Sequence, residues 1–286
     1  MKRFRFYAQI LVILFLPLLI GCSAKVESQE TTETAIQETT APTVASIPET
    51  TACVTTIPTE VTKPDHSLQV ETGMQQLRFV DANTQEYMDY CLNIPDHPER
   101  NMPLVVFLHG ALEIGHVELL QDYGIVNTTK EIYGNDYPFF LLLPCTHVYG
   151  WTSASVTGTL IALIDSVCDE YDIDRQKIII TGHSLGSTGT WKMIGLYGDY
   201  FSAAVPVSCG IDEEIDFNQC AKVPVKAFCG TNGMDEHNFG LGMERIVGRI
   251  NDVGGNAVYT VIEGADHEAM VTAAYTKELF DWMLSQ

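Results

Sequence analysis

The chain has 286 residues, with 37 Asp+Glu against 16 Lys+Arg and a formal net charge of −21. A surface of that sign repels phosphate backbones and anionic headgroups, which argues against nucleic acid as a partner and against direct docking on anionic lipid. Its 8 cysteines include no Cys-x-x-Cys pair, and no His-Glu-x-x-His or calcium-loop pattern occurs, so a metal site has no support.

Lys2, Arg3 and Arg5 make a basic start, and Ala8–Ile20 an apolar run. That is the layout of a signal peptide, and the run is short for a membrane span, which needs about 20 apolar residues. Its close, Leu19-Ile20-Gly21-Cys22, resembles the lipobox of bacterial lipoproteins. The resemblance implies a signal peptide of residues 1–21 and a diacylglycerol-bearing Cys22. That lipid would anchor the chain to the extracytoplasmic face of the cell membrane. From Cys22 to residue 72, Thr, Glu, Pro and Ala dominate and aromatics are nearly absent. This composition cannot bury enough apolar surface to offset chain entropy, so it predicts a disordered linker.

Residues 73–286 form the predicted folded domain, with 29 Asp+Glu against 11 Lys+Arg. Gln76–Val80 and Glu86–Ile94 read as an antiparallel pair around a polar turn. Continuous apolar runs follow at Pro103–His109, Tyr137–Leu143, Lys177–Thr181, Ala203–Cys209, Val223–Cys229 and Ala257–Ile262. Runs that are apolar on both faces predict buried parallel strands. Helical periods lie between them. Val156, Leu160, Leu163, Ile164, Val167 and Tyr171 share one face, and Trp191, Ile194 and Tyr197 another, with Gly198 as a predicted left-handed C-terminal stop. Met243, Ile246, Val247 and Ile250 make a third stripe, and Glu268–Leu284 reads as a closing helix. The alternation predicts an α/β domain, a mostly parallel twisted sheet with helices on both faces. Segments 110–137 and 210–222 are too short to hold a large lid. Cys209–Cys220 is the disulfide candidate, set against free buried thiols.

One motif carries chemistry. Residues 181–189 read Thr-Gly-His-Ser-Leu-Gly-Ser-Thr-Gly, a Gly-x-Ser-x-Gly pattern between a strand and a helix. That context exposes a serine at the tip of a tight turn, and the glycines on either side remove side chains that would collide there. Ser184 is the candidate nucleophile, and Leu185 N–H, at a helix start, a candidate oxyanion donor. A serine needs a base and the base an orienting acid, expected later in the chain on loops after strands. His267 follows the last strand. Asp235 follows the one before, with Glu236 and Asp212 left open as alternative acids. Asp266 suits a loop cap. The second oxyanion donor is expected after the third strand, at Ala111 or, second, Leu112. His109 reads as structural, and His237 as a site-wall residue or, second, the rival base to His267.

Residues 102–286 are similar to the α/β-hydrolase superfamily, within it the branch of feruloyl and acetylxylan esterases and prolyl-oligopeptidase-like hydrolases. The resemblance rests on LVVFLHGALEIG (104–115), PCTHVYGWTSASV (144–156) and IDRQKIIITGHSLGSTGTW (173–191). It implies the α/β-hydrolase fold without a large lid and a Ser-His-Asp esterase needing no cofactor or metal. It also places Trp151 as a substrate-pocket residue, with a core tryptophan as the equal alternative. Leu112-Glu113-Ile114 stands where the family commonly has Gly-Glu-Arg, and Ser187 where a third glycine is usual. The implied substrate is a carboxylic ester, with acetyl or feruloyl groups on polysaccharide suiting a domain on a stalk. A peptidase of the same branch and a non-catalytic glycan-binding lipoprotein are the rival readings.

Overall fold

The computed structural model describes residues 67–211, 214–235 and 240–286. The lipobox with Cys22, the linker to residue 66 and the candidates Asp212, Glu236 and His237 lie outside the described residues. Ser67 bridges Glu99, and Leu68 N–H donates to the Pro98 carbonyl at 2.9 Å, so the chain is tied to the domain ahead of the first strand.

The described strands are β1 (Gly73–Val80), β2 (Tyr87–Ile94), β3 (Leu104–Leu108), β4 (Phe140–Cys145), β5 (Ile178–His183), β6 (Ala203–Val207), β7 (Val225–Gly230) and β8 (Ala257–Ile262). They form one sheet in the order β1-β2-β4-β3-β5-β6-β7-β8. β2 pairs antiparallel with β1 and β4, and every pairing from β4 through β8 is parallel. The helices are α1 (Gly124–Tyr133), α2 (Ala154–Glu170), α3 (Leu185–Tyr197), α4 (Phe217–Cys220), α5 (Gly240–Asp252), α6 (Met270–Ala273) and α7 (Lys277–Leu284).

Strand alternation explains why central strands are apolar throughout. Leu104, Val106 and Leu108 of β3 point into a core completed by α2, α3, α4 and α5. Val105 and Phe107 point into the opposite core, with α1, α6 and α7. Each such side chain contributes about 1.5–3 kcal/mol when fully buried. A polar residue on either face of these strands therefore needs a reason, and those at the strand ends have one, described below.

The structure corrects two local expectations and decides between the two readings of Cys209 and Cys220. The closing helix is broken. Thr276 accepts from Leu279 N–H at 3.3 Å and starts α7 afresh, while the fully buried Tyr275 turns inward to bond Thr181 at 2.8 Å. Gly198 is not a left-handed stop: its φ is −52°. It is needed because a Cβ there would lie 2.0 Å from the Gln219 carbonyl oxygen. Cys209 and Cys220 are not joined to each other, and burial pushes the Cys220 thiol up to about 12. Helix α1, for which no sequence period was found, buries Ile125, Val126 and Thr129.

Candidate active site

Ser184 sits between β5 and α3 with φ +55° and ψ −117°, a region L side chains rarely adopt. The surroundings hold it there. Ser184 N–H donates to the Val207 carbonyl at 3.0 Å, and Ser184 C=O accepts from Ser187 N–H at 2.9 Å. A Cβ on Gly182 would lie 2.3 Å from the Gly186 carbonyl oxygen, and one on Gly186 1.9 Å from that of Leu108. The turn can be this tight only if both positions lack side chains. Ser187, in place of the usual glycine, is buried and donates its hydroxyl to the Cys209 carbonyl at 2.5 Å.

Two loops bring partners to the serine. His267, after β8, places Nε2 2.8 Å from Ser184 Oγ and Nδ1 2.6 Å from Asp235 Oδ1. A carboxylate only accepts, so Nδ1 carries the proton and Nε2 offers its lone pair to the serine hydroxyl. Asp266, next in sequence, caps the loop by accepting from Ala269 N–H at 2.9 Å. Asp235, in the turn after β7, is fully buried. Its Oδ2 accepts from Ser208 Oγ at 2.6 Å and Gly230 N–H at 2.9 Å. Burial pushes this carboxyl up, but the bonds from His267, Ser208 and Gly230 outweigh it and hold it below the ordinary range.

The turn after β3 faces the serine. A Cβ at Gly110 would lie 3.7 Å from Ser184 Cβ, 3.3 Å from Glu113 Oε2 and 3.6 Å from the Tyr123 hydroxyl. Ala111 follows directly, and Leu185 opens α3, where a first-turn N–H has no acceptor within the helix. Leu112 is exposed. His109 underpins this turn: its Nε2 accepts from Thr146 N–H at 3.1 Å, so Nδ1 is the protonated nitrogen and donates to the Gly110 carbonyl at 2.6 Å. Burial pulls its pKa down to about 4, and the ring stays neutral.

Of the two readings of Trp151, the structure places it in the core. It is fully buried, its indole N–H donates to the His109 carbonyl at 3.1 Å, and its ring meets the His109 ring edge-on at 4.9 Å. Four other polar residues in this neighbourhood were hardly announced by the sequence. Ser208 carries φ +62° at the end of β6. Glu113 is raised by burial and leaves Oε2 without a hydrogen-bond partner. Tyr123 and His183 touch each other at 3.4 Å. A histidine closing the apolar run of β5 and a non-glycine residue at positive φ were the available signals.

No family model and no curated protein sequence matches the chain significantly. Solved structures do. A thermostable esterase is 26% identical over 74% of this chain and 63% of its own, with a TM-score of 0.60. This chain thus spans under two thirds of that protein's length. The feruloyl esterase module from Clostridium thermocellum, complexed with sinapinate, is 15% identical over 73% of this chain and 89% of its own, with a TM-score of 0.53. An acetyl xylan esterase from Aspergillus awamori is 12% identical over 74% and 98%, with a TM-score of 0.55. The strand order, the parallel sheet and these likenesses establish the α/β-hydrolase fold.

Proposed function

We propose that this protein is a serine hydrolase that cleaves carboxylic esters, with Ser184 as nucleophile, His267 as base and Asp235 as orienting acid. The observation that carries the reading is the continuous chain Ser184–His267–Asp235, at 2.8 and 2.6 Å, on three separate connections at one end of the sheet. His267 takes the Ser184 proton as Oγ attacks the ester carbonyl, and Asp235 stabilises the resulting imidazolium. The oxyanion of the tetrahedral intermediate is received by Leu185 N–H and Ala111 N–H, each worth about 10²–10³ in rate. The protonated histidine then releases the alcohol, and a water activated by the same base frees the acid.

The substrate we favour is an acetyl or feruloyl ester on polysaccharide. The esterase neighbours support that choice, as does a domain carried on a Thr/Pro-rich stalk behind a lipidated Cys22. The same N-terminal pattern supports anchoring on the outer face of the cell membrane. The test uses a fluorophosphonate probe and p-nitrophenyl acetate on wild type and Ser184→Ala. Labelling and turnover are expected in wild type, and Ser184→Ala should lose label and at least about 10³-fold in turnover. A folded wild type that takes no label overturns the reading.

A further inference from the structure

The triad reading leaves unexplained a second histidine, one residue before the nucleophile. His183 ends β5 and is 6% exposed. A buried imidazole is costly unless both nitrogens find partners. Here both do. The His267 main-chain carbonyl lies 2.8 Å from His183 Nε2 and can only accept, so Nε2 bears the proton. Nδ1 is then left to accept from the Tyr123 hydroxyl at 3.4 Å. The two imidazoles lie beside each other, centroids 4.7 Å apart and planes inclined by 40°.

We infer that His183 is a positioning residue for the base: its Nε2–H grips the His267 main chain while Asp235 grips the His267 side chain. A histidine on a loop has freedom in both backbone and χ angles, and Asp235 restrains only the ring. The bond from His183 fixes where the ring is mounted, so that Nε2 of His267 meets Ser184 Oγ at 2.8 Å in the resting enzyme. The arrangement tolerates catalysis electrically. Burial first, and the nearby His267 second, pull His183 down to about 4, so it stays neutral when its neighbour becomes cationic. Among the described residues, Tyr123 and Asp235 are the other titratable groups facing this pair.

This inference rests on the triad reading, and the experiment separates the two. His183→Met removes the donor at similar bulk, whereas His183→Gln returns an N–H to nearly the same place. With p-nitrophenyl acetate, the Met variant is expected to lose about tenfold in kcat with KM within about twofold, and to shift the acid limb of its pH profile. The Gln variant should recover most of that loss. A folded Met variant with wild-type kcat and profile overturns the inference, as does a folded Gln variant no faster than Met. If the Met variant does not fold, 15N NMR of the wild-type imidazoles decides: a neutral, Nε2-protonated His183 from pH 5 to 8 is expected, and an Nδ1-protonated or titrating ring overturns it. Absence of fluorophosphonate label on folded wild type would sink the triad reading and this inference together. A labelled wild type beside an unimpaired Met variant would sink this inference alone.

Discussion

The elbow around Ser184 and the loops carrying Asp235 and His267 supply one site by different means. The elbow is held by steric exclusion: backbone atoms approach within 1.9–2.3 Å of where Cβ atoms would stand, and a strained serine is locked between β5 and α3. The loops are held by directed hydrogen bonds, three onto the Asp235 carboxylate and one at each ring nitrogen of His267. Excluded volume cannot be given up piecemeal, whereas a hydrogen bond can be removed with the fold intact. The elbow is therefore part of the core, and the loops hold their side chains by bonds that can be removed one at a time.

Substitutions on each side should fail differently. Asp235→Asn keeps the shape of the loop but removes the acceptor that sets the His267 tautomer, and kcat on p-nitrophenyl acetate should fall about 10³–10⁴-fold. The melting temperature, followed in parallel, is expected to change far less than activity; equal losses in both would erase the distinction. Gly186→Ala should do the reverse. Its Cβ would fall 1.9 Å from the Leu108 carbonyl oxygen, and overpacking against backbone should cost more than about 3 kcal/mol. Denaturant melts would show this, and a variant of wild-type stability would mean the elbow yields.

Acid sharpens the comparison further. His109 and His183 sit at about 4 when folded, below the unfolded value of about 6.5. Below pH 6.5 the unfolded chain takes up protons that the folded rings refuse. The stability they contribute is thus full above pH 6.5 and lost as pH falls toward 4, about 1.4 kcal/mol per pH unit for each ring. Glu113, raised by burial, works in the opposite direction and partly offsets that slope. His109→Gln, whose amide oxygen can still accept from Thr146 N–H, should flatten the dependence by one proton. Urea melts from pH 4.5 to 7 would read it, and an unchanged slope would show that His109 is not the neutral anchor of the β3 turn.

Much of the site was legible because its signals are local or ordered along the chain. Gly182, Ser184 and Gly186 sit within five consecutive residues between a strand and a helix, and loops after later strands offered His267 and, beside Glu236 and Asp212, Asp235. Trp151 was left between pocket and core because a motif gives the company a residue keeps and not which way its ring faces. Glu113 stood in a stretch whose expected chemistry lay at the neighbouring Ala111 and Leu112. The bonds of Ser208 to Asp235 and of His183 to the His267 carbonyl join residues 27 and 84 positions apart, and nothing local announces them.

By itself the sequence determined the class of fold and the order in which site residues arrive. Strand runs apolar on both faces permit only a sheet covered by helices, and the elbow glycines permit only a tight turn. Tertiary structure alone decided which partners meet each of the histidines around the serine. His109 and His183 are enclosed, with both nitrogens engaged by the surrounding chain, so they stay neutral and hold shape. His267 meets a buried carboxylate with one nitrogen and the serine hydroxyl with the other. The imidazole is the same in all three, and the partners that folding brings to its two nitrogens set what each can do.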